Sequence, residues 1–149
     1  MTPDDNPIRV LIVDDHAMVR LGMTVAINTS EGMLVIGEAR SGAEAITMYA
    51  TKRPDVVIMD LLMPDMDGIT ATRHIREIDP EARIIAITGH DDKNLIQQAL
   101  TAGVTGYLLK DIERSVLAQA IRDAHTGKTT LTPGAIRALV EQTHQPPKP

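Results

Sequence analysis

Five short apolar runs alternate with amphipathic stretches along this chain, and that alternation leaves few folds open to it. The runs are IRVLIV (8–13), LVIGEA (34–39), DVVIMD (55–60), ARIIAI (82–87) and VTGYLL (104–109). Most are nearly continuous in apolar character, the pattern of strands buried on both faces of a parallel sheet. Between them lie helical patterns. Residues 16–29 place Val19, Met23, Ala26 and Ile27 on one face, and residues 41–52 start at Ser41, a suitable N-cap. Residues 66–78 follow Pro64, with Asp65 or Asp67 as cap; residues 91–102 open with two aspartates, favourable at a helix N-terminus. Residues 112–125 carry Leu117, Ala120, Ile121 and Ala124. A β-α unit repeated five times predicts an α/β fold with helices on both faces. Right-handed crossovers then put every strand's carboxyl end on one edge of the sheet.

The chain divides accordingly into an N-terminal tail (1–7), a domain (8–126) and a final segment (127–149). That segment opens at Gly127, has a short helical pattern from about 133 to 142, and ends with Pro146, Pro147 and Pro149, which cannot continue a helix. It reads as a linker.

Composition narrows the chemistry. The 149 residues suffice for one domain with a real core. With no Trp or Phe, that core is aliphatic, with Met as gap-filler. The lack of Cys excludes disulfides, thiol nucleophiles and thiolate metal sites, and is compatible with a reducing cytoplasm. The acidic, polar start MTPDDNPIRV is not a signal peptide, and no apolar run reaches the roughly 18 residues of a membrane span. A net charge of −5 argues against direct nucleic-acid binding by this chain. His16, His74, His90, His125 and His144 show no HExxH-type spacing; His16 and His90 read as rim residues near the strand ends.

The strand ends carry the chemistry. Asp14 and Asp15 follow the first run, Asp60 ends the third, Thr88 and Gly89 follow the fourth, and Lys110 follows the fifth. In a doubly wound sheet of order 2-1-3-4-5, the first and third strands flank the switch point where ligands bind. Asp14, Asp15 and Asp60 converge there. Two unit charges about 4 Å apart repel by roughly 4 kcal/mol at an effective dielectric of 20, so three carboxylates call for a cation. Oxygen-only ligands suit Mg²⁺, or Mn²⁺. With Lys110 as a second positive charge and the Thr88 hydroxyl as a donor, the set describes a pocket for a phosphoryl group. A carboxylate can itself be the nucleophile. Asp14 and Asp15 also suit capping of the first helix, and Asp65 and Asp67 read as turn and cap residues.

VDDH (13–16), MDLLMPDMDG (59–68), AITG (86–89) and GYLLK (106–110) resemble the receiver domain of two-component response regulators, over about residues 8–126. The finer pattern is similar to the NarL/FixJ (LuxR-type) subfamily. The resemblance implies a flavodoxin-like (βα)₅ fold and a phosphorylation-activated signalling role in the cytoplasm, with no enzymatic turnover beyond self-phosphorylation and self-dephosphorylation. Asp60 would accept a phosphoryl group from a sensor histidine kinase. Asp15, Asp60 and the backbone carbonyl of Leu62 would bind Mg²⁺, and Asp14 would act through a water. Lys110 would pair with Asp60 and then with the phosphate, Thr88 would swing toward the phosphoryl oxygens, and Tyr107 would move from an exposed to a buried rotamer. The final segment resembles the joint before a helix-turn-helix domain absent from this chain, through which DNA would be bound. A stand-alone receiver acting on another protein is the alternative.

Two departures stand out. Asp111 replaces the proline that often follows the lysine, so a trans peptide is expected there. Leu62 offers no polar side chain, and with His90 it should shape water access and favour a phosphoryl lifetime longer than minutes. Leu21 and Val25, off the main face of the first helix, are either edge-of-core residues or a patch for a partner or a second copy; the face formed by the fourth helix, fifth strand and fifth helix competes for dimerisation. Two rivals fit less well. An aspartyl-nucleophile phosphohydrolase would need a DxD pattern, and a nucleotide or flavin binder on the same fold would leave phosphate-binding glycine motifs that are not present.

Overall fold

A computed structural model of the chain describes residues 6–89 and 92–144. The elements run β1 (Ile8–Val13), α1 (Ala17–Asn28), β2 (Met33–Ala39), α2 (Gly42–Lys52), β3 (Val56–Asp60), α3 (Gly68–Ile78), β4 (Ile84–Thr88), α4 (Lys93–Ala102), β5 (Gly106–Leu109), α5 (Arg114–His125), β6 (Thr130–Leu131) and α6 (Pro133–His144). All neighbouring strands are parallel, and the sheet order is β2-β1-β3-β4-β5-β6. The flavodoxin-like order expected from the sequence is therefore present, extended by one strand.

Each central strand feeds two cores because successive side chains point to opposite faces. Leu11, Val13, Val57, Met59, Ile84 and Ala86 pack with α2, α3 and α4 through Tyr49, Ile75 and Ile96. Val10, Ile12, Ile58, Ile85 and Ile87 pack with α1 and α5 through Ile27, Leu117 and Ile121. Every residue of β3 and β4 is buried. Burying a Leu, Ile, Val or Met is worth about 1.5–3 kcal/mol, so two apolar faces favour this arrangement over any with an exposed sheet face.

Local signals set the helix ends. Ser41 Oγ accepts the Glu44 amide at 3.1 Å, and Asp67 Oδ1 accepts that of Thr70 at 2.7 Å. Asp92 Oδ1 accepts the Asn94 amide at 2.8 Å. Asp67, not Asp65, caps α3; Asp65 takes a left-handed turn conformation with φ 68°. α1 has no side-chain cap from its N-cap residue His16; Asp14 Oδ1 instead accepts the His16 amide, just ahead of the helix.

The segment after Gly127 holds a strand that the sequence does not signal. β6 pairs with β5, and the Thr132 amide donates to the Tyr107 carbonyl at 3.2 Å. The helix at its end lies against α4: Ala135 and Ala138 are buried, and Lys93 pairs with Glu141. β5 is thus an inner strand, and Tyr107 sits under cover next to Leu131.

Candidate functional site

Asp60 is the last residue of the central strand, so its side chain leaves the sheet at the switch point between β1 and β3. It is 1% exposed. Asp14 lies one residue past β1, its amide held by the Ala39 carbonyl at 3.1 Å, and is fully buried. Lys110 follows β5, its amide bonded to the Thr88 carbonyl at 2.8 Å. The Lys110 Nζ stands 3.0 Å from Asp14 Oδ2 and 3.4 Å from Asp60 Oδ2. The peptides here are trans, as among all described residues, including the Lys110–Asp111 bond.

The helix that follows β3 is built tightly onto this corner. A Cβ added at Gly68 would lie 2.1 Å from the Asp60 carbonyl oxygen. Only glycine lets α3 start there, and so lets the loop from Leu61 to Asp67 fold back over the strand end. The Leu62 amide donates to Asp60 Oδ1 at 3.2 Å, while its side chain is half-exposed.

Burial, then the charge of Asp14, raises the Asp60 pKa from 3.8 to about 6, against the opposing pull of Lys110. Burial pulls the Lys110 pKa down, but its contacts with Asp14 and Asp60 outweigh that and leave it raised. The site therefore holds an ammonium beside carboxylates that compete for it.

Asp14, Asp15, His16 and Asp60 bring one ligand atom each within 4.8 Å of one another. Asp14 Oδ2, Asp15 Oδ1 and Asp60 Oδ2 are shielded from solvent, and no well-aligned hydrogen bond reaches them. Their only ionic neighbours among the described residues are Lys110 and the His16 ring, whose Nδ1 is 3.1 Å from Asp15 Oδ1 and 3.3 Å from Asp14 Oδ1. Orphaned carboxylate oxygens facing one small space suit a hard divalent cation such as Mg²⁺.

Thr88 ends β4, fully buried on the same sheet edge. Tyr107 is also fully buried, so the side chain occupies the inward of its two expected positions. Leu21 and Val25 are 55% and 52% exposed, and with Met18 they present apolar surface on α1. Beside this patch, a groove of about 400 Å³ runs between α1 and the β5–α5 connection, lined by Met18, Met23, Ile112 and Leu117 and closed by Lys110. His90 lies outside the described residues. Sequence reasoning placed His16 at the rim but missed how close its ring lies to both acids. It missed Arg20 altogether, whose Nη1 donates to the Asp14 carbonyl at 2.6 Å. Nothing in the sequence pattern marks a helical arginine for that contact.

The sheet order and the carboxylate pocket at its switch point define a class: the flavodoxin-like receiver. A family model of the response regulator receiver domain matches residues 10–122, and the chain belongs to that family, which serves two-component signalling. Receiver domains bind Mg²⁺ through acidic residues, and an aspartate cluster of that kind is present here. Response regulators of this kind interact with histidine kinases and, through an output domain, with DNA.

The response regulator VraR of Staphylococcus epidermidis is 40% identical over 126 residues, covering 85% of this chain and 60% of that protein. The chain thus spans about 60% of the length of that curated relative. A LuxR-family two-component response regulator from Aurantimonas sp. SI85-9A1 superposes with a TM-score of 0.85 at 36% identity, covering 93% of this chain and 99% of that one. The isolated receiver domain of RcsB from Salmonella enterica serovar Typhimurium, solved with the phosphomimetic BeF₃⁻, gives a TM-score of 0.79 at 27% identity, covering 89% and 99%. Among the described residues no helix is long and apolar enough to cross a membrane.

Proposed function

We propose that this chain is a phosphorylation-activated receiver whose phosphoacceptor is Asp60. The observation that carries this reading is the placement of Asp60: a buried carboxylate at the carboxyl end of the central strand, 3.4 Å from Lys110 and crowded by Asp14. A structural carboxylate would have its oxygens fully satisfied; the Oδ2 of this one has only the long contact to Lys110, an ammonium it shares with Asp14.

A carboxylate oxygen of Asp60 would attack the phosphorus of a phosphohistidine on a sensor kinase. The phosphorus–nitrogen bond breaks as the oxygen–phosphorus bond forms, and the departing imidazole takes a proton from solvent. Asp15, Asp60 and the Leu62 carbonyl would hold Mg²⁺ (or Mn²⁺), with Asp14 acting through a water. When bound, the ion offsets the crowded carboxylates and the incoming phosphoryl oxygens. Lys110 already sits between Asp14 and Asp60 and would transfer its pairing to the new phosphoryl group. That group adds about −1.5 to −2 charges and three strong acceptors, which Thr88 would meet as a donor. Tyr107, beneath β6, would respond to the movement of Thr88. Such a local change biases a two-state surface.

The output would be a homodimer through the exposed Met18, Leu21 and Val25 patch or through the α4–β5–α5 face, leading to transcriptional control through a DNA-binding output domain. The names of the VraR relative and the LuxR-family neighbour support a regulatory role of this kind. Leu62 keeps a hydrocarbon side chain at the mouth of the site, which favours a phosphoryl half-life longer than minutes; decay within seconds would overturn that point.

The test is incubation with acetyl phosphate, with and without Mg²⁺, followed by intact mass measurement. One added phosphoryl group is expected, dependent on Mg²⁺ and absent from an Asp60→Asn variant. No added mass under any condition would sink the receiver chemistry. Size measurement of the labelled sample reports whether modification drives dimerisation.

A further inference from the structure

The β1–α1 turn carries two of the acids, and little of it belongs to regular structure. Asp14 Oδ1 accepts the His16 amide at 2.8 Å, which closes the turn locally. The peptide joining Asp14 to Asp15 has one further hold. Its carbonyl oxygen accepts the Arg20 Nη1 donor at 2.6 Å, and Arg20 Nε donates in turn to Glu38 Oε1 on β2 at 3.2 Å. The Arg20 side chain is 11% exposed, and its own amide bonds to the His16 carbonyl at 3.1 Å, so it stands in the first turn of α1 directly behind the acid pair. Among the described residues, the exposed His16 ring is the only ionic partner of the Asp15 carboxylate.

We infer that Arg20 is a positioning residue: its guanidinium fixes the Asp14–Asp15 peptide plane, and through it the affinity of the acid pair for a divalent cation. Rotation of that plane reorients Asp15 relative to Asp60, and a cation bound by separate carboxylates requires their oxygens to stay near one another. Glu38 completes the device by holding the guanidinium. The inference rests on the receiver reading above. It also has a built-in opposing effect, since a guanidinium near the site repels a cation. Charge alone predicts tighter Mg²⁺ binding once Arg20 is removed; positioning predicts weaker binding.

Calorimetric titration of Mg²⁺ into the full chain separates the two. Arg20→Gln discards the charge and the fork, and Arg20→Lys keeps the charge but loses the fork. Both variants are expected to weaken Mg²⁺ binding about tenfold, and Glu38→Gln about threefold. The Mg²⁺ concentration that half-saturates acetyl phosphate labelling should rise in parallel, while the rate at saturating Mg²⁺ stays within about twofold of wild type. Thermal unfolding checks that each variant folds, and Arg20→Lys carries the test if Arg20→Gln does not. Unchanged or tighter Mg²⁺ binding in both variants, or a reduced saturated rate with unchanged affinity, would overturn the inference and leave the receiver reading intact. A wild type that binds no Mg²⁺ and takes up no phosphoryl group would overturn both.

Discussion

Two aspartates at opposite ends of the molecule are treated in opposite ways. Asp60, at the carboxyl edge of the sheet, is buried, and its Oδ2 has only a 3.4 Å contact to Lys110, which it shares with Asp14. Asp79, just past α3 near the other edge, has both oxygens engaged. The Tyr49 hydroxyl donates to Oδ2 at 2.8 Å, the Glu81 amide donates to Oδ1 at 3.1 Å, and Arg53 stands 3.6 Å from Oδ2. The Tyr49 hydroxyl, then the Glu81 amide, hold the Asp79 carboxyl below its ordinary pKa, whereas burial and Asp14 push Asp60 to about 6. Arg9 adds to the well-paired end by donating to the Arg53 and Lys52 carbonyls at 2.7 Å, closing the end of α2. One carboxylate is surrounded by donors; the other shares a single ammonium with a second acid. The difference lies in the donors supplied, since the residue is the same.

α3 joins these regions, starting on the Asp60 carbonyl at Gly68 and ending at Asp79. Gly68→Ala should therefore disturb both at once. Its Cβ would meet main chain, which cannot swing aside, and a loss of about 3 kcal/mol or more in urea unfolding is expected. A loss within error would mean that the loop from Leu61 to Asp67 yields freely.

The next largest effect sharpens the contrast by removing a charge. Because the folded pKa of Asp60 is raised, its protonated form is the better tolerated one, and stability falls as pH rises from about 4 through about 6. In metal-free buffer, Asp60→Asn should be more stable than wild type at pH 7, by up to about 3 kcal/mol, and the gap should close toward pH 4. Denaturant midpoints at a series of pH values check this; a gap independent of pH would assign the effect to something other than ionisation.

The smallest effect belongs to the paired end. Tyr49→Phe removes one hydrogen bond to a carboxylate and should cost about 1 kcal/mol at neutral pH. Asp79 has a lowered folded pKa, so that cost is present above its unfolded value near 3.8 and fades as pH falls through the folded one. A cost that persists undiminished in acid would mean that the hydroxyl bonds the neutral carboxyl as well as the carboxylate.

Most of this was legible in the sequence, and the reasons differ by element. Continuous apolar runs marked β1 to β5 because both faces are covered, and Ser41 and Asp67 announced their helices through short-range bonding. The strand ends supplied Asp14, Asp15, Asp60, Thr88 and Lys110 because topology alone gathers them. β6 escaped because it is Thr130–Leu131, too short for any period, and exists only where β5 offers an edge. Arg20 and Tyr49 escaped for a related reason: each acts through isolated side-chain contacts, and these leave no repeating mark on the chain.

The docked end of the chain has a mechanical consequence. α6 is clamped to α4 by buried Ala135 and Ala138 and by the Lys93–Glu141 pair, while β6 ties its root to β5. Docked this way, it would turn as a lever whose fulcrum is the sheet edge and whose driven side is α4. Over the roughly 18 Å of a helix this long, a tilt of about 10° carries the far end about 3 Å. A tilt of α4 too small to notice at its own surface would be carried, enlarged, to the far end of α6.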